Sequence, residues 1–313
     1  MITLYIGRGK THKVNMATIR KRKIGNTEFF YLEHSMKVNG KVWKKGKYLG
    51  KQVPENIDEI KKQFMNEIYQ EKWYKKLDQI KNNFRKYMQR LPDEIREKYI
   101  EQFMIKFTYN TNRIEGGSLT FKDTSKLLHD NITPSDRPTR DIKEAENHAK
   151  LFYTILKYKK DINLGTVLEW HHNLFKETKP GIAGKVRNYQ VGISGTDVEL
   201  PSPVELDAML SEFFGWYSKN KEKLHPVELA ALVHYRFVSI HPFGDGNGRL
   251  SRLLMNFILH KHGFPMLDIS YKNRDSYYTA LERSQKGKNE NIFTQHIIKR
   301  YIKDYKKYTA KQK

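Results

Sequence analysis

The chain has 313 residues, of which 38% are hydrophobic and 12% aromatic, enough to bury the core of one large or two modest domains. It lacks cysteine, an apolar stretch of about 18 residues and a secretory leader, which excludes disulfides, thiolate chemistry and membrane spans and predicts a cytoplasmic protein. The formal net charge of +23 favours acidic partners, nucleic acid among them, without identifying one.

Residues 1–52 form a distinct basic segment, with thirteen Lys and Arg against only Glu28 and Glu33. Alternating side chains and the turn pair Asn39-Gly40 predict a small antiparallel sheet. The strands are expected at residues 18–23, 28–36 and 41–49. Aromatic residues between the lysines suit a nucleic-acid surface. A sheet this small can instead use its aromatic residues as its only core, and we favour that interpretation.

Residues 53–106 are predicted to form a helical arm. Apolar residues recur every three or four positions as far as Leu91, and Pro92 separates this helix or helical pair from the next helix. Such an arm suits packing or a dimer contact. The second helix runs into TNRIEGG, where Glu115, taken alone, is a surface carboxylate before two glycines.

The middle of the chain is predicted to form a helical scaffold that is interrupted by one irregular segment. Helices are expected at residues 141–158, 163–175, 204–218 and 226–239. His171 and His172 are adjacent and therefore point to different faces of a helix, so they cannot bind one metal ion together and we interpret them as structural. Residues 179–203 break the helical period and are rich in glycine, proline and β-branched residues, which predicts a hairpin flap.

Residues 239–256, SIHPFGDGNGRLSRLLMN, bring several chemically active residue types together. Three glycines make a sharp turn directly before a helix, and the unpaired N–H groups of a helix N-terminus suit a phosphate. His241 is the natural group to take a proton from an attacking hydroxyl. Asp245 stands at the mouth of the turn, where a carboxylate can hold Mg²⁺ against phosphate oxygens.

The helix after the turn carries the cationic groups. Arg249 and Arg252 are three residues apart and project from neighbouring positions, and Asn256 follows one turn later. Taken singly, each residue of the segment has a structural explanation: a His beside Pro, a glycine-rich loop, a solvated arginine pair. Taken together, they predict a nucleotide site and the chemistry of nucleotidyl or phosphoryl transfer.

Two further helices are expected at residues 273–284 and 291–308, before a basic tail at residues 309–313. Tyr277 and Tyr278 are candidates to line an adenine pocket, although core packing is the alternative use of at least one of them.

The segment HPFGDGNGRLSR resembles the signature of the Fic family, HPFx(D/E)GNGRxxR, at every specified position. The resemblance implies a mainly α-helical Fic fold over residues 107–308 and the transfer of AMP from Mg-ATP to a Ser, Thr or Tyr hydroxyl of a target protein. It makes His241 the base, Asp245 the Mg²⁺ ligand, and Arg249 and Arg252 the phosphate ligands. The anion hole would be Gly246, Asn247 and Gly248. In the family the flap docks the target by main-chain pairing.

A second resemblance lies in TNRIEG, residues 111–116, which is similar to the (S/T)xxxE(G/N) inhibitory motif of class II Fic proteins. It implies that Glu115 pairs with Arg252 and blocks productive nucleotide binding. Some relatives use this glutamate to remove AMP from modified targets, so de-AMPylation stays an alternative. Two further alternatives are a phosphotransferase and a nucleic-acid-associated regulator that uses residues 1–52. Self-modification and a homodimer remain open.

Overall fold

The computed structural model describes residues 17–38, 41–193 and 195–309. It is mainly helical, with a small antiparallel sheet near the N-terminus, which confirms the predicted fold class. The chain divides into two compact units, Met1–Trp73 and Tyr74–Lys313. The boundaries predicted at residues 52 and 106 stay predictions.

The first unit contains three strands and a helix. They are β1 (Thr18–Ile24), β2 (Thr27–Val38), β3 (Lys41–Gly50) and α1 (Ile57–Tyr69). The strands pair antiparallel in the order β1-β2-β3, as predicted, and the Asn39-Gly40 turn lies outside the described residues. Leu32 is fully buried on one face of the sheet, and Lys45 on that face forms ion pairs with Glu67 and Glu71, which links the sheet to the helical segment that follows it.

The second unit is built from ten helices within the described residues. They are α2 (Lys75–Arg90), α3 (Asp93–Ile114), α4 (Phe121–Leu128), α5 (Thr139–Lys157), α6 (Leu164–Phe175), α7 (Leu206–Asn220), α8 (Pro226–Ile240), α9 (Asn247–Lys261), α10 (Arg274–Lys286) and α11 (Glu290–Asp304). Among the described residues, every helix is too short or too polar to traverse a lipid bilayer.

Helices α8 and α9 form the centre of this unit. The sequence of α8, PVELAALVHYRFVSI, is apolar around almost its whole circumference, and such a helix is stable only when surrounded. It packs against α9, α7 and α11, while α5 packs against α3, α6 and α9. Because α8 and α9 are buried, the short turn between them, residues 241–246, is fixed at both ends.

Two elements differ from the sequence predictions. Helix α4 was not predicted, although its capping box is visible in the sequence: the Asp123 N–H donates to Thr120 Oγ1 (3.1 Å) and the Thr120 N–H to Asp123 Oδ2 (3.0 Å). Residues 179–203 form turns and extended segments, and the described residues of this range contain no strand, so the predicted hairpin is wrong.

The physical reason lies in how the two arms of this loop are joined. Arg187 donates to the carbonyls of Tyr189 (2.9 Å) and Pro201 (2.6 Å), and Gln190 donates to the carbonyl of Leu200 (3.2 Å). Side chains therefore take carbonyl groups that a two-stranded ladder would need. An isolated pair of strands is in any case marginal in water.

Candidate active site

His241 lies at the carboxyl end of α8 in the left-handed conformation, with φ 52° and ψ 56°. Its Nδ1 is 3.2 Å from the carbonyl oxygen of Val238. A carbonyl only accepts, so Nδ1 carries the hydrogen and Nε2 of the neutral ring is free to take a proton. Burial lowers the pKa of His241 below its usual value, which keeps the ring neutral near pH 7. The imidazole therefore has the properties required of a base.

The turn after His241 is braced by the side chain of Asn247. Its Oδ1 accepts from the N–H of Phe243 (3.0 Å) and its Nδ2 donates to the carbonyl of the same residue (2.8 Å). Gly246 has φ 81°, and a Cβ there would also overlap the ring of Phe175. The turn thus requires both the amide of Asn247 and the missing side chain of Gly246.

Helix α9 begins at Asn247, so the N–H groups of Asn247, Gly248 and Arg249 have no acceptor within the helix. Together with the helix dipole they favour an anion. A Cβ at Gly248 would overlap Oε1 of Glu115. The carboxylate of Glu115 therefore already lies at the position that the sequence predicts for a phosphate.

Arg252 is almost fully buried, with 1% of its side chain exposed. Its Nε donates to Thr111 Oγ1 (2.7 Å), and its Nη2 donates to the Thr111 carbonyl (3.2 Å) and to Glu115 Oε1 (2.6 Å). Burial alone would lower the pKa of Arg252, but the charge of Glu115 raises it above its usual value. Arg252 and Glu115, which are 137 positions apart in the chain, therefore form an ion pair through Nη2 and Oε1.

Four charged side chains form a network beside the turn. Asp245 accepts from Lys179 and from Arg249 (3.2 Å), while Glu144 pairs with the same two cations, 3.2 Å from Lys179. Burial would raise the pKa of Asp245, but Arg249, Lys179 and the adjacent backbone N–H lower it overall, so the carboxylate is ionised. Sequence reasoning missed Lys179 and Glu144, because nothing near either residue in the chain marks it as a partner of Asp245.

The site residues border two cavities. One, of about 320 Å³, is lined by His241, Gly248, Arg252, Tyr277 and Tyr278, among others. The other, of about 150 Å³, is lined by the charged network, including Asp245 and Arg249. Glu115 lines both cavities, so one carboxylate stands between the imidazole and the network.

The two tyrosines of the larger cavity are held differently. Tyr277 is buried, and its hydroxyl lies 2.9 Å from His234 Nε2 and 3.5 Å from Arg252 Nη1. Tyr278 is 41% exposed and donates to the carbonyl of Ile114 (3.2 Å). Tyr278 is therefore the better placed of the two to meet a ligand.

Asn256 does not line either cavity. Its amide is buried and binds both backbone groups of Leu267, donating to the carbonyl (3.0 Å) and accepting from the N–H (2.7 Å). The predicted contact with nucleotide is therefore replaced by a structural role, because a side chain with both polar atoms engaged in the core has none left for a ligand.

His171 has the structural role predicted for it. Its Nε2 donates to the carbonyl of Asp245 (3.0 Å), its Nδ1 accepts from the N–H of Gly184 (2.9 Å), and its ring stacks on Phe243. Burial lowers its pKa to about 4. The ring is therefore a neutral support beneath the turn.

These features define a helical domain with a glycine-rich turn at a helix N-terminus, facing an imidazole across one cavity. Residues 161–259 match the model of the Fic/DOC family. The chain therefore contains a Fic domain, which confirms the resemblance read from the sequence.

Curated relatives extend the match. "Protein adenylyltransferase Fic" of Nematostella vectensis is 33% identical over 196 residues, which are 61% of this chain and 45% of that protein. The protein of the same name in Drosophila melanogaster is 34% identical over 183 residues, 57% of this chain and 37% of that one. The chain thus spans less than half the length of these relatives.

Solved structures show the same fold. A Fic domain containing signalling protein from Bacteroides thetaiotaomicron matches with a TM-score of 0.65 and 28% identity, over 74% of this chain and 96% of that one. Fic-1 from C. elegans matches with a TM-score of 0.65 and 21% identity, over 81% of this chain and 74% of that one, which bears on the fold alone.

Proposed function

We propose that this protein transfers AMP from ATP to a Ser, Thr or Tyr hydroxyl of a target protein and releases pyrophosphate. One observation carries the proposal: an imidazole with an unprotonated Nε2, the first turn of α9 and a buried arginine border the same cavity. The names of the curated relatives support the same chemistry.

In this mechanism His241 Nε2 takes the proton of the acceptor hydroxyl as its oxygen attacks the α-phosphorus of ATP. The bond from that phosphorus to the bridging oxygen breaks, and the electron pair leaves with pyrophosphate. The N–H groups at the start of α9 stabilise the charge that develops on the α-phosphate. Arg252 is held in place by Thr111, so its positive charge can bind the terminal phosphate once the bond to Glu115 is broken.

The charged network fits a magnesium ion. Asp245 is ionised, 35% exposed and borders a cavity, and Mg²⁺ is commonly held by one or two carboxylates together with substrate phosphates. The described residues hold no cluster of three or more potential metal-ligating His, Cys, Asp or Glu side chains. Bound there, Mg²⁺ would neutralise phosphate charge.

The target would dock on residues 179–203. Arg187 ties this loop to the catalytic residue, since its Nε donates to the carbonyl of His241 (2.9 Å) and its N–H to the carbonyl of Pro242 (2.9 Å). The loop residues Ile193 and Thr196 border the cavity of His241. Backbone groups not used in a ladder within the loop are available to an extended acceptor segment.

We further propose that Glu115 restrains the reaction. Its carboxylate holds Arg252 and occupies the space beside Gly248, and both are needed by ATP phosphates. Because a carboxylate and a phosphate cannot share these donors, the restraint is competitive with productive nucleotide binding.

The test is labelling with ATP that carries the label at the α-phosphate, using wild type, Glu115→Gly, and Glu115→Gly with His241→Ala. We expect Glu115→Gly to label itself or added target more strongly than wild type, and the double variant to lose the label. Label appearing only from γ-labelled ATP would identify a phosphotransferase instead.

The same glutamate supports one alternative, removal of AMP from a modified target, because its carboxylate borders the cavity of His241 and is 25% exposed. Release of free AMP from modified target by wild type, and its loss in Glu115→Gly, would favour this activity over transfer.

A further inference from the structure

The sheet of the first unit has two unlike faces. Side chains at Leu32 and His34 are buried on one face, where Lys45 and Lys47 pair with carboxylates of the following helical segment. The strand register places Arg20, Tyr31 and Tyr48 together on the opposite face. Among the described residues the sheet therefore packs with one side only, and its aromatic residues are not its only core, contrary to the favoured sequence interpretation.

The opposite side, here called the aromatic face, includes Arg20, Arg22, Phe29, Tyr31, Glu33, Lys44 and Tyr48. The Tyr48 ring lies 5.2 Å from that of Tyr31 and 6.2 Å from that of Phe29, and Tyr48 is 53% exposed. The guanidinium of Arg22 lies over the Tyr31 ring at 4.6 Å. Three rings thus form a continuous surface at the centre of the sheet, with positive charge beside it.

The charge of the face is mainly positive. Every residue of β1, including Arg20 and Arg22, is exposed, and Lys44 is exposed on the far strand. Glu33, which pairs with Arg22, is the acidic residue of this face within the described strands. The cations lie on the two outer strands, and the rings lie on the central strand β2 and on β3. This arrangement suits a polymer that carries phosphates along its backbone and flat bases beside them.

We propose that the aromatic face binds single-stranded nucleic acid, with bases stacked on Phe29 and Tyr48 and phosphates held by Arg20, Arg22 and Lys44. The rings of Phe29 and Tyr48 lie 6.2 Å apart, so each can meet a separate base. The bases of a duplex are already stacked on one another, so the rings favour a single strand over a duplex. This binding is separate from the proposed AMP transfer and does not depend on it.

The test uses the full chain and a fluorescein-labelled mixed-sequence DNA strand of about 15 nucleotides, followed by fluorescence anisotropy. We expect binding that weakens steeply between about 50 and about 200 mM salt and is weaker for the same strand annealed to its complement. Tyr48→Ala should weaken binding about five- to one-hundred-fold, and Tyr48→Phe should restore most of it.

The cations are tested with a matched pair. Arg20→Gln with Lys44→Gln should reduce the slope of log K against log salt concentration by about 1.4. Lys122→Gln with Lys126→Gln removes the same charge from exposed positions of α4 and should leave the slope unchanged. If Tyr48→Ala unfolds the sheet, as circular dichroism would show, the exposed Arg20 and Lys44 pair decides the question.

Three results would overturn the proposal. The first is the absence of strand binding by wild type at low salt. The second is equal weakening by the aromatic-face pair and the control pair, which would show diffuse charge alone. The third is binding to vesicles of acidic phospholipid that depends on Tyr48 while the DNA strand does not bind, which would assign the face to a membrane surface.

Discussion

Replacing Glu115 by Gln tests the electrostatic restraint without changing the size of the side chain. The substitution removes the charge from a hydrogen bond of 2.6 Å to an arginine that is 1% exposed. Hydrogen bonds to charged groups contribute about 1.5–3 kcal/mol, and ATP must break this one to use Arg252. We therefore expect Glu115→Gln to bind a non-hydrolysable ATP analogue about 10- to 150-fold more tightly than wild type.

The same change should destabilise the protein without nucleotide. Removing one partner of a buried ion pair leaves a charge uncompensated and costs about 3–5 kcal/mol in the free energy of unfolding. Because Arg252 keeps its bonds to Thr111, we expect a loss near the lower end of that range. We therefore expect tighter nucleotide binding together with a lower melting temperature. A general loss of structure would instead lower both the nucleotide affinity and the melting temperature.

Calorimetric titration and thermal unfolding, with and without the analogue and Mg²⁺, measure the two effects. Glu177→Gln is the matched control, since it removes a carboxylate from an exposed turn. Unchanged nucleotide affinity in Glu115→Gln, together with an unchanged melting temperature, would refute the restraint.

Three further predictions concern the turn, the charged network and one buried histidine. Gly246→Ala combines a φ of 81° with overlap on Phe175 and should cost about 2–4 kcal/mol in urea unfolding, whereas Gly181→Ala, with no atom within 4 Å of the new Cβ, should cost little. Lys179→Met removes an ammonium from the predicted metal carboxylate, so Mn²⁺ affinity measured by electron paramagnetic resonance should rise; an unchanged affinity would contradict the proposed site. Burial lowers the pKa of His148 to about 3, so below pH 6.5 the unfolded chain takes up a proton that the folded chain does not. Well below pH 6.5 the free energy of unfolding should fall by about 1.4 kcal/mol per pH unit because of this residue, and His148→Gln should flatten that slope.

The parts of the fold that were predicted are those with a local cause. The positions of α8 and α9 follow from apolar spacing and from the glycines between them, which are all within one stretch of sequence. Helix α4 was missed because its apolar face is short, although the Thr120 and Asp123 pair marks its start. The hairpin over residues 179–203 was predicted from composition, which does not show that Arg187 takes the carbonyl groups.

Contacts in the site between residues far apart in the chain were predicted only where a sequence motif indicated them. The contact of Glu115 with Arg252 was predicted only because a short motif resembled a family pattern, since residues 137 positions apart give no local signal. Glu144 and Lys179 carry no such pattern, and they were missed. The role of Asn256 was misassigned because helical spacing predicts the face of α9 on which Asn256 lies. It does not predict that the backbone of Leu267 packs against that face and binds the amide.

The position of Glu115 explains how a restraint can be strong and still release. Its backbone is fixed, because the Gly117 N–H donates to the carbonyl of Asn112 (2.8 Å), Arg113 donates to the carbonyl of Gly117 (2.6 Å) and Tyr278 donates to the carbonyl of Ile114 (3.2 Å). Its side chain is 25% exposed and borders open space on two sides. Release therefore requires rotation of a few side-chain torsions, which occurs within nanoseconds where it is unhindered, and no unfolding of α3. The free energy needed for release is then that of breaking the ion pair between Glu115 and Arg252. ATP phosphates can offset it by forming equivalent bonds to the same arginine.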